Sequence, residues 1–123
     1  MSGNSGQLSI TICEAKLTRD TETFSKMDPF VVMKYKDQTH KTKVKDEAGK
    51  RPVWNQNFKI YVQNKNDEIK FGVYDKDMFS EDTVGETTIK VWNLLGANNG
   101  DNIWHKIFYN KKEAGELRLE TKF

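Results

Sequence analysis

Apolar residues recur at every second position in short runs along this chain, and nowhere do they keep a helical spacing over a long stretch. Side chains on a pleated backbone alternate between two faces, so each such run is a strand with one face against a core. Leu8, Ile10 and Ile12 alternate with Ser9, Thr11 and Cys13. A second strand over 30–36 sets Val31, Met33 and Tyr35 on one face and Phe30, Val32, Lys34 and Lys36 on the other. A third over 39–45 sets Thr42 and Val44 against Lys41, Lys43 and Lys45, so that these lysines point the same way. Phe58, Ile60 and Val62 are in phase over 53–62, Ile69, Phe71 and Val73 in the run that follows, and Leu117, Leu119, Thr121 and Phe123 in the last. Strands over 83–91 and 103–109 bring the count to eight, with Trp92 to Leu95 forming a short helical turn. Short strands separated by turns, without a long helix, predict an all-β fold: an eight-stranded antiparallel β-sandwich.

At 123 residues the chain accommodates one domain with its own core. Residues 1–6 read as a flexible N-terminal lead and 7–123 as the domain. Cys13 is the single cysteine, which excludes an intrachain disulfide. No apolar run is long enough to cross a bilayer, and the start lacks the basic and hydrophobic regions of a signal peptide. Ser2 stands where a myristoylated chain needs glycine, and the last four residues hold no cysteine for prenylation. The expectation is a soluble, cytoplasmic monomer whose membrane contacts are reversible.

The strand carrying Ile69, Phe71 and Val73 runs into a loop where Asp75, Asp77, Glu81 and Asp82 fall within eight positions. Crowding like charges raises their energy, so either the loop is splayed and solvated or a cation draws the carboxylates together. The hard cation that takes several flexible oxygen ligands is calcium. A helical calcium hand built on Asp75, Asp77 and Glu86 fails, because Phe79 and Ser80 occupy the positions needing an oxygen ligand and a glycine. Between the acids stand Met78 and Phe79, at a tip where polar residues are usual. An acidic cup with a greasy tip points to a membrane surface.

The net charge of +2 conceals an asymmetry: Lys34, Lys36, Lys41, Lys43, Lys45, Lys50 and Arg51 lie close together in the chain, opposite in sign to the Asp75 loop. A basic strand face gains about 1 kcal/mol per charge near an anionic leaflet. The same lysines also deter edge-to-edge pairing of strands, and both readings stay open. Nucleic acid is disfavoured as a partner, since the aromatics form no stacking platform. Trp54 and Trp104 are assigned to packing. His40, His105 and Cys13 suggest no nucleophile and base, and neither a phosphate-binding glycine loop nor zinc spacing is present, so the chain reads as a non-enzyme.

Three motifs carry a resemblance. Met27-Asp-Pro-Phe-Val31 has an acidic residue six positions before its Asp28; Pro52-Val-Trp-Asn55 is followed by Phe58; and Val73-Tyr-Asp-Lys-Asp77 leads to Asp82-Thr-Val-Gly85. In this order they resemble the C2 domain, a calcium- and phospholipid-binding module, over Gly6 to Phe123. The resemblance implies an eight-stranded sandwich. Gly6-Gln-Leu at the start and Gly115-Glu-Leu-Arg-Leu at the close resemble the family's permuted topology, with the edge strand at the C-terminus. On the family pattern the calcium positions fall on Glu22, Asp28, Asp75, Asp77 and Asp82, with Asp20 a rival to Glu22. Glu22 stands where aspartate is commoner, and the interval from Asp75 to Asp82 is one residue shorter than is frequent. Phe24, Met27, Met78 and Phe79 become the candidates for insertion into a membrane. Lys34, Lys36, Lys41, Lys43 and Lys45 become a basic surface for phosphoinositide headgroups. The implied function is calcium-dependent, reversible binding to anionic phospholipid membranes containing phosphatidylserine or phosphoinositides. The alternative is a calcium-independent module that binds a protein partner or phosphoinositides through the basic face.

Overall fold

The computed structural model describes residues 4–123. Among them the chain forms β1 (Gly6–Leu17), β2 (Pro29–Tyr35), β3 (Gln38–Lys41), β4 (Val53–Val62), β5 (Glu68–Lys76), β6 (Glu81–Lys90), a single helical turn α1 (Val91–Leu94), β7 (Gly100–Tyr109) and β8 (Lys112–Lys122). The strands are antiparallel and run in the order β3-β2-β5-β6-β7-β8-β1-β4. β6 and β7 share only one paired position, Glu86 with Phe108. There the sheet turns over, which makes two four-stranded layers of it. The outermost strands then come back together: the His40 and Phe58 rings are 5.4 Å apart, and Gln38 Nε2 donates to the Tyr61 carbonyl at 3.4 Å.

Between the layers lie the alternating residues picked out by period. Leu8, Ile10 and Ile12 of β1, Val31, Met33 and Tyr35 of β2, Ile60 and Val62 of β4, Ile69, Phe71 and Val73 of β5, and Leu117 and Leu119 of β8 are all buried. Each fully buried aliphatic side chain contributes about 1.5–3 kcal/mol, so the two facing rows hold the layers together. In β1 the inward row changes phase from Ile12 to Ala15 and Leu17, because a bulge at Cys13 shifts the register against both β4 and β8. Gly115, at φ 143°, lies where a side chain would strike the Lys16 carbonyl, so β8 approaches β1 closely at that point.

Three expectations change. The third strand stops at Lys41, where 39–45 was expected. The Thr42 N–H still bonds the Val31 carbonyl at 2.9 Å, but the return bond from the Val31 N–H goes to the Thr42 hydroxyl at 2.9 Å, which donates in turn to the Lys43 carbonyl at 3.0 Å, so the reciprocal backbone ladder ends here. The alternation of lysines therefore breaks: Lys41 and Lys43 are exposed, while Lys45 is half-buried and its N–H bonds the Pro29 carbonyl at 3.0 Å. The C-terminal strand is interior rather than an edge, since β8 pairs with both β7 and β1, and the edges are β3 and β4. Hydrophobic alternation fixes which face of a strand is buried and says nothing about its neighbours. β1 and β8, first and last in sequence, lie side by side, as a permuted connection requires. Gly6, assigned to the N-terminal lead, is instead the first residue of β1 and pairs with Val62, whereas residues 1–3 of that lead lie outside the described residues.

Candidate metal centre and its apolar rim

The inward row of β5, Ile69, Phe71 and Val73, continues to Asp75, which is only 1% exposed. The core-facing side of the strand thus ends in a carboxylate at the rim between the layers. Two donors hold it there: Thr21 Oγ1 at 2.7 Å to Oδ2, and the Asp28 backbone N–H at 2.7 Å to Oδ1. Across the ladder Asp75 pairs with Asp82 and Lys76 with Glu81, so only residues 77–80 form the tip, closed by the Asp77 N–H on the Ser80 carbonyl at 2.8 Å.

The loop over 18–28 lies against this hairpin. Asp20 Oδ1 accepts the Glu22 N–H at 2.9 Å, a local turn that directs Asp20 to its own backbone and leaves Glu22 for the cluster. Ser25 Oγ donates to Glu22 Oε1 at 3.1 Å. Glu22, Asp75, Asp77 and Asp82 each present a carboxylate oxygen, and all four oxygens lie within 4.8 Å of one another. Such crowding shows in the acidities of Glu22 and Asp82. The Glu22 carboxyl is pushed up to about 7, first by its hydrogen bond to Asp75, with the Ser25 hydroxyl opposing. Asp82 is raised, first by its hydrogen bond to Asp77 and then by burial, while Arg19 pulls it down. Carboxyls this close need a shared proton or a cation between them. Four hard oxygen donors converging from two loops fit a divalent cation of the calcium type.

Asp28 stands beside this group rather than in it. Its Oδ1 accepts the Glu47 N–H at 2.6 Å and its carbonyl accepts the Lys76 N–H at 3.0 Å, so it ties the loop over 42–52 and the end of β5 to the first loop. Met27 is not at the surface: it is fully buried within the core cluster, and its assignment to the membrane-inserting set is corrected. The Gly49 N–H bonds the Met27 carbonyl at 3.0 Å, which pins the backbone just before β2. Phe24, Met78 and Phe79, on the same two loops as the acids, are 100%, 87% and 94% exposed.

The lysines separate into groups. Lys34 and Lys41 line a depression of about 400 Å³ with Val32, Thr39, Tyr74 and Glu81. Tyr74 lies over Gly72, where any side chain would meet its hydroxyl, and that hydroxyl donates to Glu86 at 2.7 Å. Lys43 follows the end of β3, where its N–H bonds Gln56 Oε1 at 2.6 Å. Lys36 leaves the basic face: beyond the far end of β2 its ammonium reaches Gln63 Oε1 at 2.9 Å and Asp67 at 3.5 Å. Sequence reasoning missed Thr21 and Arg19. Thr21 stands within the acidic loop and could have been picked out as a hydroxyl among carboxylates; Arg19 carries no local signal.

His40, His105 and Cys13 sit on β3, β7 and β1, and burial lowers the His105 imidazole below its ordinary value. Trp54 is buried with its indole N–H on the Pro29 carbonyl at 3.3 Å, and Trp104 lies under the Lys16 ammonium at 4.3 Å. No helix among the described residues is long and apolar enough to cross a membrane.

Comparison with known proteins agrees with this architecture. The model of the C2 domain family matches residues 6–107. The chain is 35% identical over 119 residues to the 16 kDa phloem protein 2 of Arabidopsis thaliana, covering 96% of this chain and 81% of that protein. It is 29% identical over 134 residues to elicitor-responsive protein 1 of Oryza sativa subsp. japonica, covering 97% and 84%. Among solved structures, a C2 domain of plant extended synaptotagmin 1 superposes with a TM-score of 0.84 at 21% identity, covering 98% of this chain and 95% of that one. A calcium-bound structure of two C2 domains of extended synaptotagmin 2 gives 0.83 at 20% identity, covering 99% and 46%. An eight-stranded sandwich with acidic loops at one pole and a family match over most of its length, this chain belongs to the C2 domain family.

Proposed function

We propose that this domain docks reversibly on anionic phospholipid bilayers in a calcium-dependent manner, through the pole that carries Glu22, Asp75, Asp77 and Asp82. The observation that carries the reading is the juxtaposition of that carboxylate cluster with three fully or nearly exposed apolar side chains, Phe24, Met78 and Phe79. Large apolar side chains beside a charged cup are unfavourable in water and at home in a bilayer interface. Calcium, when bound, cancels charge that repels an anionic leaflet and offers coordination positions to lipid phosphate or carboxylate oxygens. Asp28 joins the ligand set if its carboxylate turns from the Glu47 N–H.

The chain's own residues supply the rest. Phe79 and Met78, at the end of a four-residue tip, enter the interface first, with Phe24 beside them. Complete burial of such a side chain is worth about 1.5–3 kcal/mol, so partial immersion of three supplements electrostatics without anchoring the protein permanently. Lys34, Lys41 and Lys43 add contacts to anionic headgroups. The activity is binding rather than catalysis, and the protein moves between the aqueous phase and the membrane as calcium rises and falls.

Sedimentation with vesicles of phosphatidylserine and phosphatidylcholine tests this. The wild-type protein should pellet in calcium chloride and stay in the supernatant in EGTA, and the double variant Asp77→Asn, Asp82→Asn should stay in the supernatant in both. Equal pelleting of the wild type with and without calcium, or pelleting of the double variant like its parent, defeats the reading. A second reading draws on the depression lined by Lys34 and Lys41: binding of a phosphoinositide headgroup or an acidic protein segment without calcium. Pelleting in EGTA with phosphoinositide vesicles, lost in Lys34→Ala, Lys41→Ala, would favour it.

A further inference from the structure

Arg19 lies at the acidic pole but belongs to none of the groups described so far. Its backbone N–H bonds the Ala114 carbonyl at 3.2 Å, which ties it to β8. Its guanidinium lies against the Tyr109 ring, 3.7 Å from the centroid, and Nε donates to the Thr83 carbonyl at 3.3 Å. Thr83 follows Asp82 in β6, so the guanidinium is fixed one residue from a member of the carboxylate cluster. Among the described residues Arg19 forms no ion pair, so its charge is not spent on a single carboxylate. Stacking on an aromatic face and a carbonyl bond hold the planar group from two sides, which a lysine does less well.

We propose that Arg19 is a resident counter-ion of the carboxylate cluster: held between the Tyr109 ring and the Thr83 carbonyl, it partly offsets the charge of the acids and lowers their affinity for divalent cations. It is a positioning residue that acts through Asp82 and does not touch the ion. The inference rests on the calcium reading above. Its consequence is regulatory, since it sets the calcium concentration at which the pole fills. A fixed positive charge about 6–12 Å from a divalent ion weakens binding by about three- to tenfold at the dielectric of water, which governs an exposed pole.

Calorimetric titration of the lipid-free protein with calcium chloride at low ionic strength tests it. Arg19→Gln should bind calcium about three- to tenfold more tightly than wild type. Arg19→Lys, which keeps the charge, should stay within about twofold of wild type. The gap between wild type and Arg19→Gln should narrow as potassium chloride is raised toward molar concentration, because the screening length falls to about 3 Å. A purely structural role for Arg19 predicts weaker binding in both variants and no such salt dependence. Equal or weaker binding by Arg19→Gln, or a gap indifferent to salt, overturns the inference while leaving the calcium reading intact. Absence of calcium binding in wild type and both variants overturns the two together. If Arg19→Gln does not fold, Arg19→Met is the substitute: removing the charge while keeping an apolar stem against the Tyr109 ring should tighten binding in the same salt-sensitive way, and unchanged binding counts against the proposal.

Discussion

Asp75 and Asp82 face each other on one rung of the β5–β6 ladder because β6 carries an extra residue, Val84, between the partners of Val73 and Tyr74. Without that bulge Thr83 would stand opposite Asp75. The short interval between the two acids is thereby accommodated by a register shift rather than by a longer loop.

The two acids at the end of β5 are not equivalent. Asp75 is buried and accepts two hydrogen bonds, whereas Asp77 sits at the tip. Asp75→Asn, with one acceptor oxygen for two donors, should lower stability by about 1–3 kcal/mol. Asp77→Asn relieves like-charge crowding and should leave the urea midpoint unchanged or slightly higher without calcium. Equilibrium unfolding of both variants checks this, and equal losses would mean that Asp75 does not organise the pole.

Met27 and Phe24 are close in sequence and opposite in environment. Met27→Ala removes a fully buried side chain and should cost about 2–5 kcal/mol. Phe24→Ala should change stability by less than about 0.5 kcal/mol while weakening vesicle binding. A stable Met27→Ala domain would return that residue to the surface.

The tip is expected to separate docking from folding. Met78→Ser, Phe79→Ser should leave thermal unfolding unchanged and weaken calcium-dependent vesicle binding by at least about tenfold, given the transfer energies of the two side chains. Undiminished pelleting would leave the electrostatic contacts as the whole of the attachment.

Far from the acids, Tyr35 donates to Asp67 at 2.6 Å and accepts the Gln63 N–H at 2.8 Å. The tyrosine hydroxyl, with Lys36 assisting, holds the Asp67 carboxyl below the usual carboxylate range. A carboxyl whose pKa is lower in the folded state contributes stability that is present above its unfolded value, about 3.9, and is lost as pH falls through the folded value. Tyr35→Phe should therefore lower the urea midpoint at neutral pH, and the gap to wild type should shrink as pH falls below the unfolded value. A gap of constant size from neutral to acid pH would show that Asp67 takes no part.

Much of this was legible in the residues because it is local. The two-residue period of Leu8 to Ile12 and of Ile69 to Val73 identifies the buried faces, and continuing the second row one step lands on Asp75. The end of β3 was not legible: Thr42 looks like any strand residue until its hydroxyl meets the Val31 amide. Nor was the burial of Met27, whose backbone carbonyl is met by the amide of distant Gly49, or the position of Asp28 beside the cluster, where its Oδ1 accepts the Glu47 amide. Glu22 rather than Asp20 joins the carboxylate cluster, and a local turn accompanies this: Asp20 accepts the Glu22 amide. Arg19 depends on Tyr109, which only the folded chain brings near.

A ladder rung is indifferent to what lies beyond it. Asp75 and Asp82 are spaced by strand pairing, and beyond the next rung, Lys76 with Glu81, the Asp77 amide on the Ser80 carbonyl closes residues 77–80 into a cap of their own. Met78 and Phe79 can thus be exchanged for bulkier, smaller or charged residues while Asp75 and Asp82 keep their separation. An apolar tip and a pair of facing acids are thereby free to diverge independently, on one hairpin.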